Sequence, residues 1–273
     1  MKKIDIITYD LKKRILDFLY KDEIYNAILI ELIEKGTCLG TLYVNEIEGE
    51  ISYILNIKND GNSNFTSFSY TSKNGLRDIA HKIKELNYNK ILLSGKLEDV
   101  NNLLKTLRYE KTIKANIFYK LDIEKYKNIN MKYQSKIRLA SLNDKNLEII
   151  KHFTVEFLEP ETEEEIESIT DTEKILEKMK TGIYILYYKN KAIGMARFIG
   201  KTNNFAEITS VYIDKDYRNK GFGKELIGHM IDIAIKEQKT PVLVTSESNI
   251  ASIKTYETMG FKRQGEYAYE FLD

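Results

Sequence analysis

Hydrophobic residues in the second half of the chain recur with two different periods, which separate short strands from amphipathic helices. Residues 221–237 repeat apolar positions every three or four residues, and this spacing predicts a helix with one buried face. Two β-rich runs, 183–188 and 192–200, flank a polar turn and predict a hairpin. The other predicted elements are strands at 136–140, 205–213 and 242–245, a final strand or hairpin at 261–272, and helices at 144–158, 162–180 and 251–259. The predicted order is β-α-α-β-β-β-α-β-α-β.

The first half of the chain shows nearly the same order of patterns. Helices are predicted at 11–20, 22–35, 75–86 and 97–107, and strands at 37–44, 50–57, 64–70, 91–94 and 112–121. Residues 122–136 carry charges and amides with little apolar periodicity, which favours a linker. We therefore predict two domains, 1–125 and 134–273, that arose by duplication. A generic α/β order shared without duplication is the alternative.

Composition and charge exclude several classes of function. The chain has 273 residues, enough for two domains, and its 42% hydrophobic and 30% charged residues are typical of a globular protein. The chain has 42 lysine and arginine residues and 41 aspartate and glutamate residues. It therefore lacks the excess of basic residues that is typical of nucleic-acid-binding proteins. No apolar stretch reaches the length of a membrane span, and the first residues lack the apolar core of a signal peptide. We expect a cytoplasmic protein that does not bind a membrane.

The cysteine content excludes further kinds of site. Cys38 is the single cysteine, which rules out an internal disulfide and a cysteine-rich zinc site, and we expect no bound metal. As a nucleophile, Cys38 would need one of the three histidines as a nearby base. A packed strand residue is the other interpretation of Cys38.

A glycine-containing turn at 218–223 is the first candidate site. Arg218, Gly221 and Gly223 stand where a predicted strand gives way to a predicted helix. Glycines at such a turn let backbone N–H groups approach an anion, and the helix N-terminus adds partial positive charge. Lys220 and Lys224 add cationic side chains. The segment therefore suits a phosphate or pyrophosphate, although a plain turn would have a similar sequence.

Two motifs in this half resemble those of the GNAT N-acetyltransferases. The stretch Val211-Tyr-Ile-x-x-x-x-Arg218-x-x-Gly221-Phe-Gly223 resembles the acetyl-CoA motif of that family, with no proline at 215 or 216 and Asn219 in place of a frequent glycine. The stretch Asn249-x-x-Ser252-x-x-x-Tyr256-x-x-x-Gly-Phe261 resembles a second family motif at the expected spacing. The resemblance covers about 140 residues.

The resemblance implies a fold and a cosubstrate. It implies an α/β (α+β) architecture of two tandem GNAT-like domains, each a mixed, mostly antiparallel twisted sheet flanked by helices, with a splayed pair of central strands. It also implies acetyl-CoA as cosubstrate. The implied contact residues are Val211, Tyr212, Ile213, Arg218, Asn219, Lys220, Gly221, Phe222, Gly223, Lys224, Asn249, Ser252 and Tyr256.

Acetyl transfer by direct amine attack on a thioester requires a base and an acid. The resemblance implies that Tyr256 protonates the leaving thiolate. Glu207 is the candidate base, because strand alternation predicts that it shares a face with Val211 four residues later. His152 and His229 are alternatives, and each of these residues could instead be structural.

An acidic run, 156–167, is a candidate for binding the amine that accepts the acetyl group. Seven glutamates occur there without a lysine or arginine. In the family this segment borders the acceptor site, where carboxylates would attract a cationic amine. A solvated helix start is the other interpretation.

The N-terminal half lacks an Arg-x-x-Gly-x-Gly motif, so we expect a degenerate GNAT-like domain without a cofactor loop. The predicted function is acetyl transfer from acetyl-CoA to a primary amine of a small molecule, peptide or protein, by a monomer or homodimer. The alternatives are an acyl-CoA-binding sensor without activity and a tandem-domain acyltransferase with another acyl donor.

Overall fold

The computed structural model describes residues 1–36, 40–59 and 63–272. Cys38 lies outside the described residues. The chain divides into two compact units: unit 1 comprises Met1–Phe118, Gly200–Thr202 and Gly265–Asp273, and unit 2 comprises Tyr119–Ile199 and Asn203–Gln264. The residues from Gly265 onward, which the predicted boundaries assigned to the second domain, therefore cluster with unit 1.

Helices and strands follow the predicted order, with two short additions, β1 and α5. The strands are β1 (Lys2–Ile4), β2 (Thr41–Ile47), β3 (Glu50–Asn59), β4 (Asn64–Tyr70), β5 (Ile91–Lys96), β6 (Asn116–Leu121), β7 (Lys136–Leu139), β8 (Ile183–Tyr188), β9 (Lys191–Ile199), β10 (Phe205–Ile213), β11 (Thr240–Ser246) and β12 (Phe261–Leu272). The helices are α1 (Tyr9–Leu19), α2 (Ala27–Lys35), α3 (Lys73–Leu86), α4 (Leu97–Leu107), α5 (Ile123–Lys127), α6 (Asp144–Leu158), α7 (Glu163–Ile169), α8 (Thr172–Gly182), α9 (Phe222–Lys236) and α10 (Ile250–Thr258). Over the described ranges, none of these helices has both the length and the apolar character needed to cross a membrane.

The helix predicted at 162–180 is divided into α7 and α8. The side chain of Asp171 accepts the backbone N–H of Lys174 (2.9 Å) and so begins a new helix. Aspartate competes with the helical backbone for hydrogen bonds, which favours a cap over a helix interior. The apolar residues of 162–180 predicted one continuous helix, because their spacing gives no sign of a break at Asp171.

Unit 1 is built on a mixed sheet with the order β1-β2-β3-β4-β5-β12. Its neighbouring strands are antiparallel except for β4 and β5, which pair in parallel from Asn64 with Ile91 to Ser67 with Ser94. Both strands continue beyond these pairs, so they separate towards their carboxyl ends. One apolar core lies under α1 and α2, and a second lies under α3 and α4.

Unit 2 repeats this plan with the order β6-β11-β10-β9-β8-β7. Its parallel pair, β10 and β11, is hydrogen-bonded from Phe205 with Thr240 to Glu207 with Val242. The strands run on to Ile213 and Ser246 without further pairing in register, so they also splay. The core between the sheet, α6 and α8 includes Phe153 and Tyr212, while α9 packs against β9, β10 and β11. The predicted architecture, with splayed central strands, is confirmed.

The segment predicted as a linker, 122–136, is an ordered part of unit 2. The buried ring of Tyr126 lies in α5, and its hydroxyl donates a hydrogen bond to Asp232 of α9 (2.8 Å). The buried carboxylate of Glu225, also in α9, accepts the N–H groups of Gln134 (3.0 Å) and Ser135 (2.9 Å) and the Ser135 hydroxyl. Polar side chains that indicated a linker thus anchor the segment to α9.

Replacement of Glu225 tests this anchor. Glu225→Ala leaves two backbone donors without their acceptor, so we expect a loss of about 2–3 kcal/mol in the free energy of unfolding, measured with urea. Glu225→Gln keeps an acceptor oxygen and should lose less. The exposed Glu177→Ala of α8 is the matched control. Equal stability of all four proteins would show that the segment is not anchored by Glu225.

Candidate active site

The separation of β10 from β11 opens a notch in unit 2, and Glu207 lies at its vertex. Glu207 is the last residue of β10 that pairs with β11, and it is only 5% exposed. Beyond it, β10 continues to Ile213 without further in-register pairing to β11. Such an open strand edge can pair with an extended ligand chain.

A β-bulge lies inside this notch. Thr209 pairs with Arg197 of β9, and Tyr212 pairs with Met195, so β10 carries one additional residue between these pairs. Ser210 adopts a φ of +51°, which is rare for a residue with a side chain. A bulge bends its strand and changes the direction of the side chains and backbone groups next to it, here those of β10 beside the notch.

The bulge also corrects the predicted side-chain alternation. Residues paired across antiparallel strands share a face, so Glu207, Thr209 and Tyr212 lie on one face of the sheet. Tyr212 packs against Phe153 of α6 (5.3 Å between centroids), so this face is the one that α6 covers. Val211 lies within the bulge, so regular alternation does not extend from Glu207 to Val211 and their spacing alone does not place them on one face.

A glycine in β9 is the sequence signal for this bulge. Gly194 lies opposite Ile213, and a Cβ at this position would clash with the carbonyl oxygen of Tyr212. A glycine inside a strand commonly marks a bulge or a close backbone approach. Gly194 lies within the predicted strand 192–200, for which the pattern predicts a regular strand.

The turn at 218–223 leads into the N-terminus of α9 as predicted. Asn219 and Gly221 adopt left-handed backbone conformations, with φ of +59° and +87°. The N-cap of α9 is Gly221, and no described side chain caps it. A Cβ built at Gly221 or Gly223 meets no described atom within 4 Å. The first turn of α9 therefore has open space around its glycines and no described side-chain cap, an arrangement that suits an anion.

Two of the cationic side chains stabilise the turn itself. Arg218 Nε donates a hydrogen bond to the carbonyl of Ile213 (3.0 Å), and its guanidinium lies 5.6 Å from the ring centre of Tyr212. Lys220 Nζ donates to the carbonyl of Asp216 (2.7 Å). Phe222 anchors the helix start against Tyr188, with ring centres 4.8 Å apart. Lys224 is exposed in the first turn.

The corresponding helix of unit 1 has a closed N-terminus. Ser72 caps α3, since its hydroxyl oxygen accepts the N–H of Gly75 (3.2 Å). A Cβ at Gly75 would lie only 2.9 Å from the ring of Tyr53. The start of α3 is thus capped by a side chain and packed against a ring at Gly75, whereas the start of α9 has neither feature among the described residues.

The second motif forms the start and body of α10. Asn249 caps this helix, and its side-chain oxygen accepts the N–H of Ser252 (3.1 Å). Tyr256 is buried and packs edge-on against Tyr119 (6.4 Å) and Phe261 (5.9 Å). Burial raises the pKa of the Tyr256 phenol, and a hydrogen bond with the Ser252 side chain partly offsets this shift. The phenol therefore stays protonated at neutral pH and can donate a proton.

The two histidines considered as alternative bases lie in different settings. His152 is exposed on α6 beside Phe153. The ring of His229 stacks on Tyr133 at 4.0 Å, and burial lowers the pKa of its imidazole. Its Nε2 atom is buried without a hydrogen-bond partner among the described residues. His229 thus packs against the anchored 122–136 segment.

The acidic run lies mostly on the exposed start of α7. Glu165 accepts the N–H of Glu161 (2.8 Å), as expected for an acidic residue in the first turn of a helix. Glu156 forms a salt bridge with Lys215 (2.8 Å), which lies in the turn after β10. This setting matches the interpretation of a solvated helix start.

A cavity of about 180 Å³ lies under α6 and α8, on the face of the sheet that carries Glu207. We call it the α6–α8 cavity. Sequence reasoning did not identify its polar residues, which carry no motif. Its lining consists of Ile150, Thr154, Phe157, Leu158, Lys178, Ile183, Met195, Ala196, Arg197 and Ser210. Among the described residues, no group of three or more histidine, cysteine or acidic side chains is arranged to hold a metal.

Comparison with known families identifies the domain that holds this site. Residues 146–261 match the Acetyltransferase (GNAT) family. This range runs from α6 to the first residue of β12 and includes the bulge, the α9 turn and α10. The chain therefore carries a GNAT acetyltransferase domain in its C-terminal half.

Solved structures share the fold over nearly the whole chain. A tandem GNAT protein from the clavulanic acid biosynthesis pathway has a TM-score of 0.68 at 9% identity, covering 99% of this chain and 97% of that chain. A Drosophila protein has a TM-score of 0.67 at 12% identity, with coverages of 98% and 97%. A GNAT-family acetyltransferase from Colwellia psychrerythraea has a TM-score of 0.61 at 14% identity, with 99% of both chains covered. The tandem GNAT fold is thereby confirmed, and family and fold together support an acyl-transfer function.

Two glycine replacements distinguish the open helix start from the closed one. Gly223→Ala meets no neighbour and removes a flexible residue from α9, so we expect a gain of up to about 1 kcal/mol in the free energy of unfolding. Gly75→Ala pushes against Tyr53 in α3 and should cost about 1–3 kcal/mol. Urea unfolding of both variants measures the difference. A destabilised Gly223→Ala protein would contradict the open geometry.

Proposed function

We propose that the protein transfers an acetyl group from acetyl-CoA to a primary amine, by direct attack within a ternary complex. The observation that carries this proposal is the open, uncapped N-terminus of α9 next to the splayed edge of β10. A helix start of this kind suits a pyrophosphate, and an open strand edge suits an extended amide-containing arm. Coenzyme A contains both chemical groups.

The backbone N–H groups of residues 218–224 would hold the pyrophosphate of the cosubstrate. Asn219 supports this role, because it adopts the left-handed conformation that the frequent glycine of the motif would supply. Val211, Tyr212 and Ile213 would pair with the pantetheine arm along the edge of β10. Asn249 and Ser252 would border the cofactor from the start of α10.

Bound acetyl-CoA supplies an acetyl thioester to the notch. Glu207 would accept the proton that the attacking amine loses when its C–N bond forms. Tyr256 would donate its phenolic proton to the sulfur when the C–S bond breaks. Buried positions suit both roles, because proton transfer is most effective where water is excluded and the groups are fixed. A backbone N–H of the bulge at Ser210–Val211 is the candidate donor to the carbonyl oxygen in the transition state.

Unit 1 would not bind the cosubstrate. The Ser72 hydroxyl already accepts the N–H of Gly75 in the first turn of α3, and the Tyr53 ring packs against that glycine. We therefore expect one cosubstrate per chain.

Calorimetric titration of the full chain with coenzyme A tests the binding site. We expect one molecule bound per chain, and at least about tenfold weaker binding by Gly223→Ala, because its methyl group occupies the open space before α9. Arg218→Ala should also weaken binding by about ten- to a hundredfold, since its hydrogen bond holds the turn. Gly75→Ala is the matched control in unit 1. Unchanged binding by Gly223→Ala would place the cosubstrate elsewhere.

Replacement of Tyr256 tests the acid. Tyr256→Phe should lower kcat by about a hundredfold or more while binding of coenzyme A stays unchanged, because a general acid typically contributes 10²–10⁴ in rate. An acid functions below its pKa, and burial raises the pKa of Tyr256 above its usual 10. Activity that depends on this phenol should therefore persist as pH rises and fall only above about pH 10. A Tyr256→Phe protein with wild-type kcat would exclude the acid role.

A further inference from the structure

One residue inside a strand of unit 2 has a backbone conformation that favours glycine. Ser210 lies within β10 and adopts a φ of +51°. The other non-glycine residues with positive φ in the described part of the chain lie in turns, in loops or at helix ends. The left-handed conformation brings Cβ close to the following carbonyl oxygen, which disfavours any residue with a side chain. In one common kind of β-bulge, this first bulge position is held by glycine.

The hydroxyl group of Ser210 has a partner on the neighbouring strand. Arg197 of β9 pairs with Thr209, and its Nε atom donates a hydrogen bond to the Ser210 hydroxyl oxygen (3.3 Å). Both side chains line the α6–α8 cavity. The planar guanidinium fixes the direction of its N–H groups, so this bond restricts the orientation of the Ser210 side chain. A glycine in place of Ser210 would lack the bond.

From this bond and this conformation we infer that Arg197 is a positioning residue for acetyl transfer. By holding the Ser210 side chain, Arg197 stabilises the left-handed conformation of the bulge. It thereby fixes the direction of the backbone N–H that the proposed function assigns to the carbonyl oxygen of the thioester. This role rests on the proposed function and adds a residue to it. Strained backbone conformations persist only where the surrounding structure holds them, and they concentrate at functional sites.

The bulge should matter more for the chemical step than for binding. A donor to the developing oxyanion stabilises it only when it points at the position that the oxygen takes in the transition state. A small rotation of the bulge would therefore lower kcat more than it would weaken binding of coenzyme A. The turn before α9 is held by other bonds, those of Arg218 and Lys220. Loss of the Arg197 bond should therefore leave the proposed pyrophosphate site intact.

Arg197 also lies near the candidate base. Glu207 is two residues before Thr209 on the face that Arg197 shares, so the two side chains are diagonal neighbours across the strands. The charge of Arg197 can therefore influence Glu207 directly. The experiment must separate an effect through the Ser210 bond from an effect of charge. Glycine at the bulge allows this separation, because glycine adopts a positive φ without a side-chain bond.

Single variants give the first test. The assay measures thiol release from acetyl-CoA with the best acceptor from a panel of amino acids, polyamines, amino sugars and short peptides. Arg197→Met should lower kcat by about ten- to a hundredfold, and calorimetry should show coenzyme A affinity unchanged within about twofold. Ser210→Ala removes only the hydroxyl and should lower kcat by at least about fivefold. Lys180→Met, at an exposed lysine of α8, is the matched control.

A double variant shows whether Arg197 acts through Ser210. In a Ser210→Gly background the bulge no longer depends on the Arg197 bond, so the further change Arg197→Met should lower kcat by no more than about twofold. The measured quantity is the effect of Arg197→Met within each background, and the difference between the two backgrounds is the rescue. Thermal unfolding checks that each variant is folded. Ser210→Ala provides the test if Arg197→Met does not fold.

Three results would overturn the inference while acetyl transfer itself still occurs. The first is wild-type kcat in Arg197→Met, and the second is wild-type kcat in Ser210→Ala. The third is an equal loss of kcat from Arg197→Met in the wild-type and Ser210→Gly backgrounds, which would assign the effect to charge near Glu207. A different result, no turnover by the wild-type protein with any amine of the panel, would refute the proposed function and the inference with it.

Discussion

The separation of β10 from β11 at Glu207 is the constraint on which the site of unit 2 depends. Two parallel strands that stay paired would satisfy each other's backbone groups and leave nothing for a ligand. Here the pairing ends after Val242, and the bulge at Ser210 bends β10 further from a regular strand. The cost of this irregular backbone is offset by the packing around it, because Tyr212 remains in the core against Phe153 and Gly194 makes room for the Tyr212 carbonyl.

The two units show how one fold can keep or lose an anion site through small local changes. Both contain a splayed parallel pair whose two strands are connected by a helix. In unit 2 that helix begins with glycines that have open space around them and no side-chain cap, and in unit 1 it begins with a serine cap. A side chain that satisfies the helix start internally stabilises the helix, and it also removes the N–H groups that would bind a phosphate.

Much of this arrangement could be predicted from the sequence. Period and capping residues located most helices and strands, and the spacing of Arg218, Gly221 and Gly223 placed the turn at a helix start. Three features could not be predicted in this way. The bulge interrupted the alternation expected between Glu207 and Val211, Asp171 divided one helix into two, and residues from Gly265 onward joined unit 1. Each depends on contacts between residues distant in sequence or on a single capping hydrogen bond. The spacing of apolar residues along the chain contains no information about either.

The central claim is that the open start of α9 and the free edge of β10 form a single binding site for coenzyme A. A crystal structure of the full chain grown with coenzyme A tests this most directly. The account predicts one molecule per chain, with its pyrophosphate within about 3 Å of the first N–H groups of α9 and its pantetheine arm along Val211–Ile213. A molecule bound at α3, or one whose pyrophosphate does not touch α9, would contradict the account.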